Sequence, residues 1–114
     1  MLFVVSLQFL EDLMKIKEGV IMQGLQLPMR KVLKKAARLW RNQREELVII
    51  SALDGTHSAE SYHYYGYALD LRTRYFTTTV SAELAKTLQF QLGEAYTVLF
   101  EGNHIHVQFN KDSL

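Results

Sequence analysis

The sequence predicts an α+β domain, a central and mainly antiparallel sheet carrying two main helices. Three observations lead there. An amphipathic stretch follows Pro28, a second helical stripe ends at Gly93, and short strand-like runs lie between and after them, the last two joined as a hairpin. At 114 residues, 48% hydrophobic and 22% charged, the chain has room for one core and too much apolar content for disorder. Residues 15–114 therefore read as a single domain. A formal net charge of +1 gives no global electrostatic case for a nucleic-acid partner. The absence of cysteine excludes disulfides and every thiolate-ligated metal site, so any ion must be held by His and carboxylates.

The elements follow in order. The opening MLFVVSLQFL is apolar, but no positive charge precedes it, Glu11 and Asp12 follow it, and ten residues are too few to cross a bilayer. Neither a signal peptide nor a membrane insertion is expected. Residues 1–14 read as an upstream extension, with Met14 as an alternative start, or as a short helix packed on the domain. From Pro28, which suits a first helical turn, a helix is predicted to about Arg44, with Met29, Leu33, Ala36 and Trp40 facing inward. Its other face carries Arg30, Lys31, Lys34, Lys35, Arg38, Arg41 and Arg44; this reads as a solvated surface that would also suit approach to an anionic polymer.

Leu47–Ile50 is apolar and β-branched, a central strand that ends at the Asp54-Gly55 turn signal. Residues 66–74 alternate, placing Tyr67, Leu69 and Leu71 on one face and Ala68, Asp70, Arg72 and Arg74 on the other. Ser81, with Glu83 in the first turn, is expected to open the second helix, whose Val80, Leu84, Leu88 and Leu92 face the core. Tyr96–Phe100 and His104–Phe109 form the hairpin, with Ile105, Val107 and Phe109 on one side and His104, His106 and Gln108 on the other.

The chemistry gathers on the polar faces of these strands. If the Asp70 strand neighbours the last strand, Asp70, His104 and His106 converge, and His63, just before Gly66, can fold back over them. Two imidazoles and a carboxylate suit zinc. Arg72 is the rival partner for Asp70, and a buried Asp needs one or the other. The residues alone leave open which of His104 and His106 is the ligand. His57 reads as a loop residue.

Ser61-Tyr62-His63-Tyr64-Tyr65-Gly66-Tyr67-Ala68-Leu69-Asp70 resembles the S-x-H-x-x-G-x-A-x-D signature of the D-Ala-D-Ala metallopeptidases, in the zinc peptidase superfamily that includes the hedgehog amino-terminal domain. Glu101-Gly102-Asn103-His104-Ile105-His106 resembles that group's H-x-H strand with an upstream acid. The resemblance implies a hedgehog/DD-peptidase-like fold and a Zn2+ ion on His63, Asp70 and His106. It implies Glu101 as general base and His104 as an unligated residue that stabilises the oxyanion or assists proton transfer. The implied activity is hydrolysis of peptidoglycan stem peptides by a metal-activated water, at a D-Ala-D-Ala or an L-Ala-D-Glu bond. The alternatives are a catalytically silent zinc module used for binding and a phage structural protein. Compact size resembles small phage-type lytic enzymes, made in the cytoplasm, acting as monomers on the cell wall. Carboxypeptidase relatives place an Arg before the signature, where this chain has Ser51-Ala52-Leu53-Asp54; Arg72 and Arg74 are candidates to replace it.

Overall fold

The computed structural model describes residues 2–6, 13–54, 62, 63 and 65–110. Six strands and two helices follow in the order β1 (Leu2–Ser6), β2 (Leu13–Lys17), α1 (Met29–Asn42), β3 (Leu47–Ser51), β4 (Ala68–Arg72), α2 (Thr78–Leu92), β5 (Tyr96–Phe100) and β6 (His104–Phe109). The strands form one sheet in the order β1-β2-β3-β4-β6-β5. Only β2 and β3 run parallel; the other four pairings are antiparallel. The α+β class, with a mixed and mainly antiparallel sheet and two helices, is as expected.

Both helices cover one face of the sheet, because the apolar halves of the alternating strands all point there. Ile49, Leu69, Leu71, Ile105 and Val107 are fully buried against Met29, Val32, Ala36 and Trp40 of α1 and against Leu84 and Leu88 of α2. Trp40, entirely enclosed, also donates its indole N–H to the Arg72 carbonyl at 3.0 Å, so the largest core side chain ties α1 to the end of β4. The cationic positions of α1 lie on its outer side, as the period of 3.6 requires. The helix stops two residues before the expected Arg44. Arg44 itself turns left-handed at φ 63°, while its N–H bonds to Arg41 O and that of Glu45 to Trp40 O, a Schellman closure.

Two expectations are corrected. Leu2–Ser6 is strand β1, paired with β2, and not the short helix that residues 1–14 allowed. A continuous apolar run has no period to separate the two, and only the partner strand decides. The second helix opens at Thr77 rather than Ser81: the Thr77 hydroxyl accepts the Val80 N–H at 3.1 Å, and Ser81 is buried one turn inside. At the other end Gly93, at φ 92°, closes it as anticipated.

The sheet edge at β5 is protected. Gln89, projecting from α2, accepts the Val98 N–H at 2.9 Å and donates to the Tyr96 carbonyl at 2.8 Å, standing in for a seventh strand at these two groups. No helix among the described residues is long and apolar enough to cross a membrane.

Candidate metal centre

The face of the sheet opposite the helices carries the site. Antiparallel pairing sets Asp70 opposite His106 and Arg72 opposite His104, while Leu69 and Leu71, one residue out of phase, face the core. A slip of one residue would exchange the two sets, so core burial fixes the site's register. His63 arrives from the turn before β4. Gly66 closes that turn at φ 77°, donating its N–H to His63 O at 3.1 Å, and a Cβ there would run into the carbonyl oxygen of Gly24. Gln26 N–H bonds to Gly66 O at 2.9 Å, so the segment before α1 clamps the turn. The motif glycine is thus demanded by close backbone approach.

The donor atoms converge on one carboxylate oxygen. Asp70 Oδ1 lies 3.0 Å from His106 Nδ1, 3.4 Å from His63 Nε2 and 3.9 Å from His104 Nε2. One ligand atom from each of His63, Asp70 and His106 lies within 4.8 Å of the other two. Ligands about 2.0–2.1 Å from a tetrahedral zinc lie about 3.3 Å apart, and the Asp70 to imidazole separations match that spacing.

The remaining ring nitrogens fix the protonation. His63 Nδ1 faces the Ala52 carbonyl at 2.7 Å, an acceptor only, and must carry a hydrogen. Ala52 is itself held where Asp54 Oδ1 accepts its N–H at 2.8 Å. His106 Nε2 is set by a relay that starts at a backbone carbonyl. Asn110 Nδ2 donates to Glu94 O at 3.4 Å, so Asn110 Oδ1 accepts from Gln108 Nε2 at 3.3 Å. Gln108 Oε1 then accepts from His106 Nε2 at 2.9 Å. Thr97 reinforces the relay by donating to the same Asn110 oxygen at 2.9 Å. In their neutral forms both imidazoles therefore aim lone pairs at a carboxylate oxygen. Three electron-rich atoms facing one another require a positive charge among them, a proton or a metal ion.

The titration behaviour agrees. Burial would raise the Asp70 carboxyl, but hydrogen bonds to His106 and His63 and their positive charge outweigh it and hold it far below the usual carboxylate range. Burial would lower His106; its bonds to Asp70 and Gln108, with the charges of Asp70 and Glu101, raise it instead. Beside this trio His104 Nε2 lies 3.2 Å from Glu101 Oε1, and its Nδ1 lies 2.6 Å from Asn103 Oδ1. Glu101, about half exposed, stands at the rim, and Asp70, Glu101 and His104 form a second convergent group that shares Asp70 with the first.

The five expected site residues, His63, Asp70, Glu101, His104 and His106, thus lie together. Arg72 is not the partner of Asp70; among the described residues its ion-pair partners are the three histidines. His106 lies closer to Asp70 than His104 does, and it is His106 that shares the convergent trio with His63 and Asp70. Ser61 and His57 lie outside the described residues. Sequence reasoning missed the supporting groups. Gln108 was visible as a polar residue two places after His106 on the same face, whereas the Ala52 carbonyl leaves no trace in residue type.

No family model matches the chain, nor does any curated protein or solved structure. The likeness to the zinc peptidases therefore rests on the two motifs.

Proposed function

We propose that the chain is a zinc peptidase that hydrolyses amide bonds in bacterial peptidoglycan stem peptides. The observation that carries this reading is the aim of His63 Nε2, Asp70 and His106 Nδ1 at a common point, each imidazole locked by an acceptor on its other side. The motif resemblance of residues 61–70 and 101–106 supports the zinc peptidase assignment and supplies the substrate class. Zinc bound there would acidify a water and polarise the scissile carbonyl.

The chain's own residues supply the remaining chemistry. Glu101, at the solvent rim, accepts the proton of the attacking water and passes it to the leaving amine. Its partner His104, 3.2 Å away, donates a hydrogen bond to the oxygen on which negative charge develops. Asp70 does not serve as base, because its carboxylate is engaged by His63 and His106 and would be a ligand of a bound ion.

Incubating purified peptidoglycan with zinc-loaded wild type and Glu101→Ala, then reading the fragments by mass spectrometry, tests catalysis and identifies the bond. Wild type is expected to open one type of peptide bond, and Glu101→Ala to keep stoichiometric zinc while losing about 10²–10⁴ in rate. Stoichiometric zinc without cleavage by wild type would instead mark a silent zinc-binding module. Failure to hold zinc would overturn both.

A further inference from the structure

The outer face of α1 is not used by the chemistry above. Met29–Asn42 carries six of the chain's thirteen cations and no acid, in a chain of net charge +1, so the rest of the molecule is net negative. Every exposed residue of this helix except Asn42 is Lys or Arg. Arg30, Lys34, Arg38 and Arg41 follow one another three or four residues apart, a row about 17 Å long with a charge about every 6 Å. Helix stability does not account for this placement. Like charges four residues apart destabilise a helix, and the row pairs Arg30 with Lys34 and Lys34 with Arg38. Arg30 also stands in the first turn, where the helix dipole disfavours a cation and no acid is present. Lys31 is different: its ammonium donates to the Leu92 carbonyl at 3.1 Å and lies over the Tyr96 ring, tying α1 to the end of α2. A solvated surface needs polarity but not a single sign of charge, whereas a polyanion requires that single sign.

The type of polyanion follows from what the face lacks. No apolar side chain of α1 is exposed among its cations, so there is nothing to insert between lipids, and no aromatic ring stands there for a base to stack on. A flexible phosphodiester chain without bases needs neither. The helix also packs on the sheet face opposite His63, Asp70 and His106, so a polymer lying along it leaves the site open. We propose that the outer face of α1 binds a linear polyol-phosphate polymer of the kind bacterial walls carry, with Arg30, Lys34, Arg38 and Arg41 each meeting a phosphate. This binding needs neither zinc nor cleavage and is independent of the peptidase reading.

The test titrates the full chain with poly(glycerol phosphate) at several salt concentrations, and with two comparison probes of matched phosphate content, an oligothymidylate and vesicles of phosphatidylglycerol. The polymer is expected to bind with log K falling by about 3 per decade of salt, the value for four phosphate contacts on a single-stranded polyanion. Lys34→Gln with Arg38→Gln should lower that slope by about 1.4 and weaken binding about tenfold. Lys17→Gln with Lys86→Gln, which removes equal charge from exposed positions off the helix, should change neither. Arg30→Gln with Arg41→Gln should act as the first pair does, and it decides if the first pair lowers the Tm. No binding of the polymer at low salt, losses as large in the Lys17 and Lys86 pair, no loss in the deciding α1 pair, or tighter binding to the oligonucleotide or the vesicles overturns the proposal. Polymer binding without peptide cleavage would leave the docking face standing and remove the peptidase reading. Zinc-dependent cleavage without polymer binding would do the reverse.

Discussion

Gln108 decides which nitrogen His106 offers. With its amide nitrogen committed to Asn110, it turns its oxygen, which can only accept, to the ring, and so the proton of His106 is held at Nε2, away from Asp70. Gln108→Leu removes that acceptor and frees the ring to turn; zinc affinity, measured by competition with a chromophoric chelator, should fall about 10–100-fold with the fold retained. On the proposed reading, protons and zinc would compete for the same point. In the metal-free protein, the raised His106 contributes stability that is complete below its ordinary value of 6.5 and is lost as pH rises through its folded value. The depressed Asp70 contributes stability that is present above its ordinary 3.8 and is lost as pH falls through its folded value. Thermal melts in chelator should therefore show this pair's contribution greatest between these two ordinary values, declining towards alkaline pH. Saturating zinc should remove that alkaline decline, since the ion replaces the proton.

At the scale of elements, the turn that carries His63 is the most constrained feature of the site. It combines a left-handed Gly66 with backbone contact to Gly24, and it delivers His63, whose side chain is 5% exposed. Gly66→Ala would require both an unfavourable φ and displacement of a neighbouring peptide. A loss of about 3 kcal/mol or more is expected in urea unfolding, together with weakened zinc binding. The hairpin β5–β6 behaves differently. Its register is set by Val98, Ile105 and Val107 packing towards the helices, so polar substitutions at Glu101 or His104 on the opposite side should leave its structure intact.

For the whole molecule, the division of the sheet into a helix-covered face and a site face separates stability from chemistry. The core is built from α1, α2 and the inward halves of the strands, and an ion held by His63, Asp70 and His106 would add to it by joining the turn to β4 and β6. Zinc at a thousand times its dissociation constant should stabilise the fold by about 4 kcal/mol, read as a rise in Tm that chelation reverses. Asp70→Ala should abolish that rise, while the same substitution at exposed Glu83 should not alter it.

Much of this organisation was legible in residue order. The 3.6-residue stripes of both helices, the alternation of 66–74 and of 104–109, and the tight spacing around Glu101-Gly102-Asn103 are local patterns, and local sterics and burial enforce them without distant partners. The motif residues could be named for the same reason, since ligand types at fixed spacing on a strand are a one-dimensional signal. The strand nature of 2–6 and the nitrogen each histidine presents are decided by groups outside each segment: β2, the Ala52 carbonyl and the Asn110 relay. Whether Asp70 meets Arg72 or the histidines is likewise settled by the pairing of β4 with β6, because residues two apart on a strand stand side by side while those across the ladder point into the same space.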